Sequence, residues 1–437
     1  MKWLYKILIT AITSLYIFPI EFKFLPSINS KMLMAVLGVL VFVINSVLKR
    51  ENVLSRKVVN VALCALFVSF IGIISVLFND TNDFTYASYF VSFVVWISAA
   101  YFVVSSIRIV YGYASVKLVV KYLIAVAIAQ CFLAILIDQV PVFKNVVNSY
   151  VVGFASMYSA GEGIERAGRL YGIGAALDVA GTRFCAILSM IGIMIFESYR
   201  LDNKKWQTLL YLILFVILLV VGSMISRTTS IGLIFVFLYL IIMTKHLNDS
   251  GRFWRIIVSS LLALTFIVVL LYNTSPFFYE NLYFAFEGFF SYVETGKWSM
   301  GSTDELRSMY VLPEALKTWI IGDGYFDEPS IYDSYYVGES RNYGLFYMGT
   351  DVGYLRFIFY FGMSGLLAFI SYFIVNARQC ISMFPKNKWF FIAILLMNFM
   401  IWAKVATDIF CLFALFLCVR KEENDEYENH LYNSLPL

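Results

Sequence analysis

Charged residues, prolines and histidines are all scarce in this sequence of 437 residues. Only 14% of the residues are charged, whereas about 25% is usual in a soluble globular protein, and 61% are hydrophobic. The interior of a soluble fold cannot hide that much apolar surface, so a soluble enzyme and a disordered chain are both excluded. The eight prolines suit long, uninterrupted helices. The net charge of +4 gives no indication of a nucleic-acid partner.

Paired cysteines and nucleotide-binding motifs are missing from the sequence as well. The cysteines show no CxxC spacing and fall in or beside apolar stretches, which is typical of small core residues rather than of disulfides or a zinc site. They are Cys64, Cys131, Cys185, Cys380, Cys411 and Cys418. No phosphate-binding loop motif and no dinucleotide-binding fingerprint occurs. The opening MKWLYKILIT has a basic start but no small-residue cleavage site, so we expect a retained first helix.

Twelve apolar stretches approach the roughly 20 residues that a membrane-spanning helix needs. They are Trp3–Ile20, Met32–Leu48, Val58–Leu77, Ser88–Val104, Val119–Ile137, Thr182–Phe196, Trp206–Ile225, Thr228–Met243, Ile256–Leu271, Val352–Ile374, Trp389–Trp402 and Val405–Val419. Only Ala403 and Lys404 separate the last two stretches, so these stretches could form one helix or two. A total of ten or eleven spans therefore remains an alternative to twelve. The sequence predicts an all-α polytopic membrane protein with about 12 transmembrane helices.

The distribution of charge predicts which way the chain crosses the membrane. With the N-terminus in the cytoplasm, most Lys and Arg fall inside and most Asp and Glu outside, as the positive-inside rule requires. Both termini are therefore predicted to be cytoplasmic. Residues 1–272 then hold nine spans and an outer loop near 138–181. One large, partly helical outer loop at 273–351 precedes three further spans at 352–420 and a cytoplasmic tail at 421–437.

The large outer loop is rich in aromatic and acidic residues, which suits the binding of sugar rings. Its tyrosines and tryptophans are Tyr279, Tyr283, Tyr292, Tyr310, Tyr325, Tyr332, Tyr335, Tyr336, Tyr343, Tyr347, Trp298 and Trp319. The alternative is an interfacial aromatic belt around a helical cap. Within the loop we expect a helix from Glu305 to Leu316 that can continue to Ile321, with a kink at Pro313, and that ends at the glycines of Gly322–Gly324.

Several arginines on the predicted outer side form the second candidate feature. Arg166 and Arg169 lie in ERAGRLYGIG, Arg183 is near the outer end of the sixth span, Arg227 lies in SMISRTTS, and Arg356 is about one turn inside the tenth span. A guanidinium group there is costly unless it is paired or binds an anion. Because its fork matches phosphate geometry, converging arginines would form a pyrophosphate site. The alternative is a set of snorkelling anchors and salt bridges.

A general base on the outer face would have to be a carboxylate. The two histidines, His246 and His430, are both predicted to be cytoplasmic, so neither a histidine base nor a histidine-bound metal is expected outside. Asp351, in GTDVGYLR at the mouth of the tenth span, is the strongest candidate. Alternatively, Asp351 is simply an acidic residue at the N-terminus of a helix, where the helix dipole stabilises its negative charge. Glu314 and Asp323 are weaker candidates for the base.

The chain resembles the polymerase branch of the O-antigen polymerase/ligase superfamily. The similarity lies in about twelve spans, one large late loop and the segments SMISRTTSIGLIF, ELRSMYVLPEALKTWIIGDGYF and TDVGYLRFIFYFGMSGLL. The ligase branch carries a histidine in the last segment, where this chain has Asp351. That departure favours polymerase over ligase.

The resemblance implies a glycosyltransferase of the bacterial inner membrane that needs neither a metal nor a cofactor. It would transfer a glycan from undecaprenyl pyrophosphate onto a repeat unit on the same carrier, at the periplasmic face. Its partners would be that lipid-linked glycan, membrane lipid and a chain-length regulator protein. We expect Asp351, Arg227 and Arg307 to act in catalysis. We expect the substrate and its pyrophosphate to be bound by Arg166, Arg169, Arg341, Arg356, Tyr335 and Tyr336.

Two functions of other classes remain as alternatives. A flippase for the same lipid-linked unit would need a cavity reachable from both faces and usually has two similar halves, but the sequence shows no internal repeat. A scaffold protein would use the large loop to bind a partner, and its arginines would have no part in glycan lengthening. The sequence does not distinguish O-antigen from capsule or exopolysaccharide.

Overall fold

The computed structural model describes residues 2–47, 55–152, 169–200, 205–245, 247, 249–329 and 346–426. Four of the predicted substrate-binding residues, Arg166, Tyr335, Tyr336 and Arg341, lie outside the described residues. The remaining site residues, Arg169, Arg227, Arg307, Asp351 and Arg356, lie within them.

The described chain is built almost wholly from helices. The α-helices are α1 (Lys2–Ile17), α2 (Ser30–Val47), α3 (Arg56–Asn79), α4 (Tyr89–Tyr111), α5 (Val116–Gln139), α6 (Pro141–Tyr150), α7 (Leu177–Arg200), α8 (Lys205–Ile225), α9 (Ile231–Thr244), α10 (Ser250–Thr274), α11 (Pro276–Ala285), α12 (Glu287–Thr295), α13 (Gly301–Ser308), α14 (Leu316–Ile320), α15 (Gly353–Met383), α16 (Lys388–Trp402) and α17 (Phe410–Leu417). Short 3-10 helices cover Arg227–Ser230, Tyr347–Gly349 and Pro385–Asn387. A small antiparallel pair, β1 (Glu21–Phe22) and β2 (Leu25–Asn29), joins α1 to α2.

Nine helices of the described chain are long and apolar enough to cross a membrane. They coincide with nine of the twelve predicted stretches, so the prediction of an all-α membrane protein is confirmed at that level. The other three stretches are shorter helices of 16, 15 and 8 residues, namely α1, α16 and α17. The last two apolar stretches therefore form two separate helices, and α17 alone would reach only about 12 Å.

Consecutive long helices alternate in direction, so the bundle has two distinct ends. We call one the loop end, because α11–α14 lie there together with the end of α3 and the start of α7 and α15. Lys317 on α14 contacts Asn79 there, with Nζ 2.5 Å from Oδ1. The opposite end is called the tail end, where Glu423 pairs with Arg108 at 2.7 Å and Lys117 with Glu197 at 2.9 Å. α7 is the most buried of the candidate spans and α10 the least.

The predicted helix from Glu305 to Leu316 is wrong in its bounds. The structure has α13 ending at Ser308, a non-helical stretch, and α14 beginning at Leu316. Pro313 lies in the gap and explains it, because proline supplies no backbone N–H and disfavours helical geometry at the preceding residue. The predicted end at the glycines is correct, since α14 stops at Ile320 and Gly322 has a φ of 85°.

A break in α15 fixes the large loop to the bundle. Phe361 and Gly362 leave helical geometry, which removes the hydrogen-bond partners of the preceding carbonyls. The loop supplies new ones, because the N–H groups of Asp323 and Gly324 donate to the carbonyls of Phe359 and Tyr360 at 2.6 and 3.1 Å. Such irregular backbone at membrane depth is tolerated only where protein buries it.

Neighbouring elements complete the hydrogen bonding around this break. Ser75 Oγ on α3 donates to the Tyr360 carbonyl at 2.6 Å, and Ser364 Oγ donates to the Ile320 carbonyl at 2.9 Å. The two glycines allow the close approach. A Cβ on Gly362 would lie 2.3 Å from the Ile320 carbonyl, and a Cβ on Gly322 would lie 2.5 Å from the Tyr360 carbonyl. Loop and helix are therefore one packed unit.

Substituting Gly362→Ala should destabilise the protein. Gly362 has a φ of 68° and a ψ of −173°, a region that side chains strongly disfavour, and the strain alone costs about 1–3 kcal/mol. The carbonyl contact adds to this cost. Thermal unfolding of the detergent-purified protein, followed by size-exclusion chromatography, measures the change. Gly251→Ala is the control, because nothing lies within 4 Å of its Cβ; equal unfolding temperatures for both variants would contradict the packing described.

Candidate functional site

Arg356, in the first turn of α15, is almost fully buried at the loop end. Its guanidinium donates to Asp327 Oδ1 at 2.6 Å and to the Phe326 carbonyl at 3.0 Å. The same group lies over the rings of Phe326 and Phe346, 3.6 and 4.2 Å from their centroids. Asp327 also forms an isolated β-bridge with Phe346. Arg356 thus contacts both the segment that precedes residues 330–345 and the segment that follows them.

Arg227 and Arg169 meet at a single aromatic ring. Arg227 begins the 3-10 helix between α8 and α9, pairs with Glu287 on α12 at 2.6 Å, and donates from Nε to the Phe284 carbonyl at 2.9 Å. Its guanidinium is 4.1 Å from the ring centroid of Phe284, and that of Arg169 is 5.1 Å from the same centroid. The two cations lie close enough to repel each other. Such a pair favours an anion between or beside its members.

An ion pair that sequence reasoning missed links these arginines to the rest of the site. Asp178 at the start of α7 pairs with Lys404, which lies just after α16, with Oδ1 and Nζ 3.0 Å apart. Thr228 Oγ1 donates to the same Asp178 oxygen at 3.0 Å and also accepts from Lys404 Nζ at 3.0 Å. Asp178 also interacts electrostatically with Arg169. A lone Asp and a lone Lys in apolar surroundings, each next to the end of a helix, were the only signal in the sequence.

Asp351 interacts electrostatically with both members of this ion pair and carries an unsatisfied carboxylate oxygen. Burial, and next the negative charge of Asp178, raise the pKa of Asp351 to about 7, although Arg356 and Lys404 act in the opposite direction. Its Oδ1 atom is buried without a hydrogen-bond partner among the described residues. The carboxyl group is therefore poised between its charged and neutral forms near neutral pH, as a general base requires.

These residues form one charged cluster at the loop end. We use that name for Arg169, Asp178, Arg227, Asp351, Arg356 and Lys404. Within the described residues, the buried Nε atoms of Arg169 and Arg356 have no hydrogen-bond partner, like Asp351 Oδ1. Buried polar atoms are normally satisfied, so three orphaned atoms in one cluster indicate a place where water or a ligand binds.

The structure does not bring the other described candidates into the charged cluster. Arg307 on α13 has a side chain that is 79% exposed, and its contact with Asp304 is 3.7 Å. Glu314 is exposed. Asp323 is already engaged, because it accepts from Thr318 at 2.7 Å and pairs with Lys317 at 2.9 Å.

The described tyrosines of the large loop lie in different surroundings. Tyr347 is buried beside Phe359, with ring centroids 5.7 Å apart. Tyr310 is exposed and donates to the Ala403 carbonyl at 3.0 Å, next to Lys404. Tyr279 and Tyr283 stack with each other, their centroids 6.5 Å apart, on the outer surface of α11. Both a sugar platform and an interfacial belt are compatible with that stack.

The described residues contain no group of three or more His, Cys, Asp or Glu side chains that could hold a metal ion. No family model, no curated protein and no solved structure matches the chain.

Replacing Asp351 with Asn should change the pH dependence of stability. The ordinary carboxyl pKa is 3.8 and the folded value is about 7, so the free energy of unfolding of the native protein falls as pH rises between those values. The neutral amide avoids that loss. We expect Asp351→Asn to unfold at a higher temperature than the native protein at pH 8 and the difference to shrink toward pH 5.

The exposed acid Glu314 provides the control for this measurement. Glu314→Gln should leave the unfolding temperature unchanged at both pH values, because that side chain is exposed. If the difference between Asp351→Asn and the native protein were the same at pH 5 and pH 8, the perturbed titration of Asp351 would be refuted.

Proposed function

We propose that this protein is a polysaccharide polymerase that lengthens a lipid-linked glycan at the outer face of a bacterial inner membrane. In this proposal the loop end faces the periplasm, the tail end faces the cytoplasm, and both termini are cytoplasmic. The observation that carries the proposal is the buried carboxylate of Asp351, with a pKa of about 7 and an orphaned oxygen. The motif resemblance of the sequence agrees with it.

The proposed reaction is a displacement at the anomeric carbon of the donor glycan. Asp351 accepts the proton of the acceptor hydroxyl while that oxygen bonds to the anomeric carbon. The bond from this carbon to the pyrophosphate oxygen breaks, and the leaving group takes the electron pair. The products are the lengthened glycan on the acceptor carrier and undecaprenyl pyrophosphate. The activated donor supplies the driving force, so no nucleotide is consumed.

Arg169 and Arg227 are placed to stabilise the leaving pyrophosphate. Their guanidinium groups lie against the same ring of Phe284, and the buried Nε of Arg169 has no partner among the described residues. Fixed donors in a poorly hydrated site stabilise developing charge without reorganisation. Glu287 holds the Arg227 side chain in position at 2.6 Å.

Arg356 has a positioning role in this proposal rather than a direct contact with the pyrophosphate. Its guanidinium group is already committed to Asp327 at 2.6 Å and to the Phe326 carbonyl, so it holds this part of the large loop against the start of α15. Lys404 similarly holds Asp178 in place at 3.0 Å. The negative charge of Asp178 raises the pKa of the Asp351 carboxyl group, while the positive charge of Lys404 itself lowers it.

Asp351→Asn should abolish glycan lengthening, because an amide cannot accept the proton. Loss of a general base typically costs about 100- to 10,000-fold in rate. The assay is the surface-polysaccharide ladder in a host that lacks its own polymerase, with membrane expression checked by immunoblot. In the native protein the rate should also rise with pH and level off above about pH 7, where Asp351 is deprotonated.

Glu314→Gln is the matched control and should give ladders of native length. A normal ladder from stably expressed Asp351→Asn would remove Asp351 as the base. A rate that does not change between pH 6 and pH 8 would contradict the same assignment.

Arg227→Ala and Arg169→Ala should each shorten the ladder strongly. Removal of one preorganised charge-stabilising donor typically lowers a rate by about 100- to 1,000-fold. Arg307→Ala distinguishes the prediction from the sequence, which gave Arg307 a catalytic role, from the proposal made here. Because Arg307 is exposed on α13, its substitution should shorten the ladder less than Arg169→Ala or Arg227→Ala. Ladders of native length from both Arg169→Ala and Arg227→Ala would exclude a pyrophosphate site at Phe284.

A further inference from the structure

A large cleft lies on the outside of the bundle between α2, α3 and α4, toward the tail end. Its volume is about 780 Å³, within the range of roughly 300–1,000 Å³ that is typical of small-molecule sites. Along α4 it runs from Phe90 to Tyr101, which corresponds to about 16 Å of helix. Val39, Val59 and Val94 line the cleft and are exposed on the bundle surface, so the cleft opens sideways toward lipid.

The cleft is apolar along most of its length. Its walls include Val39 and Phe42 from α2, and Phe93, Val94 and Ile97 from α4. None of these side chains carries a polar atom, so this part suits a hydrocarbon chain. α2 meets α4 so closely at Gly38 that a Cβ there would lie 1.9 Å from the Ser98 carbonyl oxygen.

The tail end of the cleft is polar and basic. Lys57, Arg420 and Lys421 line it, together with the single acid Glu422. Lys57 interacts electrostatically with Lys421, which repels it, and with Glu422, which attracts it. Arg420 lies 3.8 Å from Glu423, an acid that is also bound by Arg108. The lining therefore carries an excess of positive charge, which an anion would relieve.

An apolar channel that ends in repelling cations is complementary to an anionic amphiphile. We propose that this cleft binds one anionic phospholipid from the leaflet at the tail end. Its phosphate lies between Lys57 and Lys421, and one acyl chain follows α4 toward Phe90. The site is separate from the charged cluster at the opposite end, so it does not depend on the proposed polymerase activity.

The test is native mass spectrometry of the purified full-length protein, titrated with phosphatidylglycerol or, for comparison, with phosphatidylcholine. The native protein should retain one phosphatidylglycerol with a preference of about tenfold over phosphatidylcholine. Lys57→Gln combined with Lys421→Gln should remove the preference. Equal retention of the two lipids by the native protein would overturn the proposal.

A matched charge control separates a site from general attraction of the basic end to anionic lipid. Arg252 and Arg255 are exposed at the tail end of α10 and are not among the residues that line the cleft. The double variant Arg252→Gln with Arg255→Gln removes the same charge as the lysine variant, yet it should keep the native preference. The same loss in both double variants would show that surface charge, not the cleft, selects the lipid.

A steric variant tests where the acyl chain lies. Val94→Trp places a bulky side chain in the cleft without changing charge, and it should reduce phosphatidylglycerol retention about tenfold. Ala62→Phe fills the cleft from α3 instead, and it is the variant to test if Val94→Trp is not monodisperse. Native retention by a monodisperse variant of either kind would refute binding in the cleft.

Discussion

The structure depends on how the break in α15 is hydrogen-bonded. A helix that stops at Tyr360 and resumes beyond Gly362 exposes carbonyls, and in an apolar environment each unsatisfied group costs several kcal/mol. The N–H groups of Asp323 and Gly324 meet that need, so the large loop cannot be removed without leaving the helix unsatisfied. Asp351 and Arg356 precede the break in the chain. The hydrogen bonds between the loop and α15 therefore also help to position these two residues of the candidate site.

The charged cluster contains two kinds of charged side chain at the edge of an apolar bundle: those in close ion pairs and those with a polar atom that lacks a partner. Asp178 with Lys404, Arg227 with Glu287, and Arg356 with Asp327 are close ion pairs, and each pair neutralises a charge that would otherwise be costly. Asp351 and Arg169 carry buried polar atoms that lack a partner in the described chain. We interpret the pairs Asp178–Lys404 and Arg356–Asp327 as supports, and we propose that Asp351 and Arg169 meet the substrate together with Arg227.

Sequence reasoning succeeded where the signal was local. Nine apolar stretches became helices of spanning length, because length and composition alone decide that outcome. Arg169, Arg227 and Arg356 were singled out because a guanidinium group in such surroundings is costly unless it is paired or binds an anion. Asp351 was singled out because a base there had to be a carboxylate. All four lie in the charged cluster.

Sequence reasoning failed where contacts across the chain decide the structure. Asp178 and Lys404 are 226 residues apart, so nothing local indicates that they pair. Arg307 was selected from a motif, and its side chain is exposed on α13, outside the charged cluster. The role of Gly322 and Gly362 as a contact between loop and helix was equally invisible, since a glycine in sequence indicates only backbone freedom.

The most direct test of the account is reconstitution of the purified protein with lipid-linked repeat units that are accessible only at the loop end. We expect a ladder of lengthened glycans without added nucleotide or metal, together with release of undecaprenyl pyrophosphate. Movement of the units across the membrane without any lengthening would contradict it and would indicate a transporter instead.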